Sequence, residues 1–195
     1  MPYINTIHPQ VRDVAAYSSL GCAVTPEDLS RFWKKNLPGG YAHDSKWIAT
    51  VGSPGKYRPV YFNIIGSHGR GIPVSELLSR GYYGMSASMD GAYDKVLAHT
   101  GLQRITFRLV WPGYENVNWT RSIQIYNENG PITRAGLAVE IAKIISCFVM
   151  NSAYEPCANQ DWQLHPAKIT IKRVVLVALH HISEGSWQAE VLVDV

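Results

Sequence analysis

Charge is the scarcest commodity in this chain. Only 17% of its 195 residues are Asp, Glu, Lys or Arg, against about 25% in ordinary soluble domains. Disordered tails and coiled coils, both rich in charge, are excluded on that ground. The net charge of +3 is small, and no basic run exceeds Lys34-Lys35. A nucleic-acid partner, which calls for a basic stripe or patch, is therefore not expected. Three cysteines (Cys22, Cys147, Cys157) form no C-x-x-C pair, which argues against a disulfide framework and for buried thiols in a reducing compartment. The longest unbroken apolar run, Val174 to Leu179, falls far short of the ~18 residues of a membrane span, so no membrane partner is expected. Met1-Pro2-Tyr3-Ile4-Asn5 lacks the basic and then apolar pattern of a secretory leader. A cytoplasmic or nuclear location follows as the expectation, and the Asn118-Trp119-Thr120 sequon is then inert.

What is present is apolar and aromatic. Tyr and Trp supply 17 of the 21 aromatic residues, and 46% of the chain is apolar. There is no internal repeat, low-complexity stretch or linker, so residues 1–195 read as a single domain large enough to bury a substantial core.

Helices are expected at Pro9 to Leu20, closed by Gly21, and at about 26–36, where Thr25-Pro26-Glu27-Asp28 supplies a cap, a first-turn proline and two first-turn acids. Strands at 46–51 and 57–65 flank the turn Ser53-Pro54-Gly55. Short helices follow at Pro73 to Arg80, stopped by Gly81, and at Gly91 to His99. Gln103 to Trp111 and Arg121 to Tyr126 read as strands around a loop opening with Trp111-Pro112-Gly113-Tyr114, a type II turn sequence. Thr133 caps the longest helix, at 133–150. Leu137, Ile141, Ile144, Ile145 and Phe148 line one face of it, Val139, Ala142, Cys147, Val149 and Met150 cover much of the rest, and Glu140 and Lys143 meet solvent. Arg173 to Ile182 reads as a central strand covered on both faces. It turns at Ser183-Glu184-Gly185 into a strand that alternates Trp187, Ala189, Val191 and Val193 with a wetter set, Gln188, Glu190, Leu192 and Asp194. The order from about residue 103 to 195 is β-β-α-β-β. The fold expected is α+β, with an antiparallel or mixed sheet and helices packed mainly on one face.

The segments Trp111-Pro112-Gly113-Tyr114, Pro131-Ile132-Thr133-Arg134-Ala135 and Leu179-His180-His181-Ile182, with Gly185-Ser186-Trp187 after the last, resemble a group of uncharacterised fungal proteins over about residues 105–190. No activity attaches to that group. The resemblance implies an intracellular fungal protein and carries over no site residue.

Five candidate groupings stand out. Gly66-Ser67-His68-Gly69-Arg70-Gly71, between a strand and a helix, could cradle a small anion through backbone N–H groups, with His68, Gly69, Arg70 and Gly71 as the ligand-binding set; its spacing matches neither nucleotide fingerprint. His180 and His181 must point to opposite faces of a strand, which prevents joint chelation but leaves either as an acid/base group titrating near neutrality. Cys147, Cys157 and His165 lack the close spacing of a zinc site, so neither metal nor other cofactor is expected. His43-Asp44-Ser45 holds the residue types of a triad, yet adjacent residues cannot converge as a triad must; Cys22 reads as a buried small hydrophobe. Finally, Trp111, Tyr114 and Trp119 in one loop and Tyr82 and Tyr83 in another have the residue types of a recognition surface.

These readings lead first to a non-catalytic binding or interaction protein that engages a protein partner or a second copy of itself through its loop aromatics. The alternative is a small-molecule hydrolase or transferase, with His180 or His181 as acid/base and the 66–71 loop holding an anionic group.

Overall fold

The computed structural model describes residues 16–18, 56–183 and 185–194. The expected helix at 26–36, the strand at 46–51, the turn at 53–55, Cys22 and the His43-Asp44-Ser45 triplet lie outside the described residues. In chain order the strands are β1 (Ala16–Ser18), β2 (Val60–Tyr61), β3 (Ile72–Pro73), β4 (Arg104–Leu109), β5 (Trp119–Gln124), β6 (Tyr126–Asn127), β7 (Gly130–Pro131), β8 (Val174–Ser183) and β9 (Ser186–Asp194). The helices are α1 (Val74–Ser86), between β3 and β4, and α2 (Arg134–Ser152), between β7 and β8.

The β8–β9 hairpin organises everything else. β8 carries β2 and β3 along its outer side, both antiparallel. β9 carries β1, antiparallel, and β4, parallel, along its other side. β5 then pairs antiparallel with β4 and is the last strand on that side among the described residues. The result is the expected mixed α+β sheet, seven-stranded among the described residues, with β6–β7 as a separate small hairpin.

A bulge on β8 decides which side chains face which way. Leu176 pairs with Val191, and the next pair is Ala178 with Glu190, so Val177 is an extra residue and the facing parity reverses across it. Val174 and Leu176 before the bulge, and Leu179 after it, join Trp187, Ala189, Val191 and Val193 in the cluster that also holds Leu77 and Met85 of α1 and Leu137, Ile141 and Phe148 of α2. On the opposite face lie Val175, Ala178 and His180, paired with Leu192, Glu190 and Gln188. That second face is also buried across β8 and β9. The alternation had suggested a wet face there, and the expectation fails: Gln188 is 3% and Glu190 1% exposed.

α2 matches its sequence signature. Thr133 Oγ1 accepts from the Gly136 N–H at 3.1 Å, satisfying one of the first-turn donors. Its buried set includes Leu137, Val139, Ile141, Ala142, Ile145, Phe148 and Val149, with Glu140 and Lys143 outside. Cys147 and Met150, expected to be covered, are exposed. By length and composition α2 could cross a membrane; ten of its residues are buried in the protein instead.

Other expectations are corrected. Residues 16–18 are strand rather than part of a helix over 9–20. The strand at 57–65 contracts to Val60–Tyr61, with Phe62 N–H adding one more bond to Val177 O. The helix expected up to Arg80 does break at Gly81, which is non-helical, but helical backbone resumes to Ser86. Residues 91–99 are not helical apart from a short 3-10 turn at Ala98–Thr100. A helix there would need the carbonyls of Gly91, Ala92 and Asp94 for its own amides. Those carbonyls are engaged otherwise: Gly91 O closes a turn with the Asp94 N–H and also accepts from Arg134 Nε, while the Arg134 and Ala135 backbone N–H groups donate to Asp94 O and Ala92 O. The turn serves α2 as a cap.

Candidate functional site

Trp111, Tyr114 and Trp119 do not form a surface. Trp111 and Tyr114 are each 1% exposed and Trp119 is buried; their rings converge on Phe148 of α2, at centroid distances of 5.7, 6.2 and 5.5 Å. Their polar atoms explain how rings in a loop reach the interior. Trp111 Nε1 donates to Trp162 O at 2.9 Å, and the Leu164 N–H donates to the Tyr114 hydroxyl at 3.1 Å, so these two rings enter with a hydrogen bond satisfied, whereas Trp119 Nε1 is buried without a partner among the described residues. Burial pushes the Tyr114 phenol above its ordinary value. The turn before them is as expected: Tyr114 N–H donates to Trp111 O, and Gly113 has φ +86° with Cys157 Sγ and Asn159 N where a Cβ would sit. These three rings seat α2 and are corrected from recognition residues to core. Tyr82 packs partly against the core, while Tyr83 stands 87% exposed.

The glycine-rich loop leaves the sheet at β2 and returns at β3. Gly69 N–H donates to Asn63 Oδ1, and exposed His68 lies 3.8 Å from Asp90. Gly71 is fixed by packing: a Cβ there would meet Leu176 O of β8 at 2.5 Å, and its φ is +70°. β3 separates the loop from α1, whose N-cap is Pro73, so the loop does not open directly onto a helix N-terminus. None of the described contacts joins His68 or Arg70 to His180 or His181.

The two histidines do face opposite ways, as adjacent strand residues must. His181 lies on the helix side with its ring edge-on to Tyr57 and Trp187, at 4.9 and 5.1 Å. Burial, and then the charge of Lys56, hold its imidazole below the ordinary histidine value. His181 Nδ1 and Trp187 Nε1 are buried with no hydrogen-bond partner among the described residues. His180 is on the other face, where Nε2 lies 2.9 Å from Glu190 Oε2, both side chains almost fully buried. Tyr61 completes this group: it pairs with Ala178, which pairs with Glu190, and its ring meets that of His180 edge-on at 6.5 Å. Burial, and then the negative charge of Glu190, raise the Tyr61 phenol above its ordinary value. The Val177 bulge puts His180, rather than His181, on the face of Glu190. The sequence reading missed Glu190, because alternation assigned it to solvent.

The same face continues onto β4 and β5 and changes character. Arg108 sits beside Gln188, followed outward by Thr120; Thr106 and Arg104 continue β4, with Ser122 and Gln124 opposite them. Thr106, Arg104, Ser122 and Gln124 are exposed and Arg108 and Thr120 half-buried.

The outer side of β5 carries the site's most accessible chemistry. Thr106 N–H donates to Gly185 O at 2.9 Å, so its backbone groups face β9. Its partner Ser122 then forms a non-hydrogen-bonded pair with it, and the Ser122 N–H and C=O point away from β4. Thr120 and Gln124 share that orientation by the two-residue period. At Thr120 the groups are satisfied locally: its N–H donates to Asn118 O, and its C=O accepts from Arg121 Nη1 at 2.9 Å. Among the described residues no strand pairs with β5 on this side.

Cys147 lies on the exposed face of α2, Cys157 Sγ donates to Asn159 O, and His165 Nδ1 accepts from Ala167 N–H; each is engaged or exposed separately. Comparison with family models, with curated proteins and with solved structures finds no match to this chain.

Proposed function

We propose that this is a non-catalytic binding protein that takes up an extended segment of a protein partner by strand addition to β5. One observation carries the reading: among the described residues β5 is the last strand of the sheet, with the backbone groups of Thr120, Ser122 and Gln124 directed outward and unpaired by any described strand. An edge of that kind is a template for another strand, with main-chain hydrogen bonds giving affinity and alternate side chains giving specificity. As part of the same proposal the protein works in the cytoplasm or nucleus of a fungal cell. The motif resemblance and the free thiols Cys147 and Cys157 support that setting.

Selection of a displayed random-peptide library on the immobilised protein tests it. Enriched peptides are then titrated calorimetrically against the wild type and Ser122→Pro, which lacks an outward N–H at an edge position where proline is tolerated. Binding should be lost in Ser122→Pro and also when alternate residues of the peptide are N-methylated, a change that leaves the protein untouched. Affinity indifferent to both changes rejects strand addition.

The buried His180–Glu190 pair favours a second reading, a small-molecule hydrolase or transferase with His180 as acid/base and Tyr61 as its solvent-facing neighbour. An isolated buried carboxylate–imidazole pair is seldom more stabilising than apolar residues, and such pairs recur at catalytic sites. Under this reading turnover of an activated ester or phosphate is abolished in His180→Gln. Under the first, peptide binding survives that substitution.

A further inference from the structure

We infer that the segment received by β5 is acidic, carrying carboxylates on alternate residues toward Arg104 and Arg108. The inference rests on the strand-addition reading above and names the chemistry of its partner. β4 and β5 read Arg-Ile-Thr-Phe-Arg-Leu and Trp-Thr-Arg-Ser-Ile-Gln, three arginines and no acid. Arg104 and Arg108 share the outer face with Thr106, Thr120, Ser122 and Gln124, a row of hydroxyl and amide groups around two cations. Among the described residues neither guanidinium makes an ion pair or hydrogen bond.

Distance permits the contact. Neighbouring strands lie ~4.8 Å apart, so a strand added to β5 is two spacings from β4, and an arginine reaching across β5 meets a glutamate reaching back. On the other face Arg121 lies over the Trp119 ring at 3.8 Å and donates to Thr120 O. It competes with an added strand for that outward carbonyl, and once released it can pair with the incoming chain. Arg121 alone would blunt the edge against unwanted pairing. Arg104 and Arg108 are on an interior strand, where they guard no edge. The closest acids in sequence, Glu115 and Glu128, lie in the loops beyond the strand ends, and the Glu115 carboxylate already accepts from the Gly113 N–H.

The selected peptides decide the matter. The enriched pool should carry Asp or Glu at alternating positions, and replacing Glu by Gln in a synthetic member should weaken binding about tenfold at low ionic strength, the effect of a few exposed ion pairs. That difference should close at high salt and in the Arg104→Ala, Arg108→Ala double variant. An enriched pool that is neutral or basic, or a Gln peptide binding as well as its Glu parent, overturns the acidic assignment and leaves strand addition standing. So does a single-stranded oligonucleotide that binds at these arginines while no acidic peptide is enriched. A pool whose binding ignores Ser122→Pro and N-methylation, or no enrichment at all, removes strand addition and this inference with it.

Discussion

One face of the sheet behaves in two ways. Across β8 and β9 it is buried and holds His180, Gln188 and Glu190 among Val175, Ala178 and Leu192; across β4 and β5 it is open and holds arginines, hydroxyls and amides. The strands are hydrogen-bonded neighbours in one ladder, so backbone geometry does not separate them. What separates them is desolvation. In the covered half every polar group must find a partner or cost stability, which is why His180 and Glu190 are locked together. In the open half water serves the same groups, and side chains are free to be committed to a partner.

The sharpest way to break this comparison is Glu190→Ala. It leaves His180 without its buried partner and should cost about 3 to 5 kcal/mol, measured by urea unfolding; Glu190→Leu combined with His180→Leu should recover much of that. A loss comparable to an ordinary surface substitution would erase the distinction between the halves. Next, Leu192→Ala should cost about 2 to 4 kcal/mol through the cavity it leaves, whereas Thr106→Ala on the open half should stay within about 0.5 kcal/mol.

A smaller effect comes from His181, on the helix side. Its imidazole is held below the ordinary 6.5, so as pH falls the unfolded chain takes up this proton before the folded one does. The stability associated with neutral His181 is complete above that ordinary value and is lost progressively below it. His181→Phe keeps a ring against Tyr57 and removes the titration. Its melting temperature should therefore decline less than that of the wild type between about pH 7 and pH 5, and parallel melting curves would contradict the assignment. The smallest change in stability is expected of Arg104→Ala, within about 0.5 kcal/mol; differential scanning calorimetry should find it unaltered even where peptide affinity has dropped.

Much of the framework was legible from local chemistry. The Thr133 cap, the Pro112-Gly113 turn and the long apolar run from Val174 each identify an element by what its residues cannot otherwise do. The site was less legible, because its signals are non-local. Trp111 and Tyr114 looked like recognition residues only while their partners, Trp162 O and Leu164 N–H some fifty positions away, were unknown. The Gly91 to His99 pattern suited a helix until α2 claimed its carbonyls. Alternation placed Glu190 on the correct face, but a period of two says nothing of what covers that face, and one bulged residue settles which histidine shares it. The outward groups of β5 depend on strand order, which a sequence of this kind does not encode locally.

The parallel pairing of β4 with β9 also governs when the protein can fold. β1, β2, β3 and β4 all seat on the hairpin formed by residues 174 to 194, so during synthesis every one of those strands emerges before the strand that will hold it. The β4–β5 pair and α2 can form early, but the main sheet cannot close until translation has passed β9. The nascent chain must wait with its apolar strands uncovered, a period in which chaperone protection matters most.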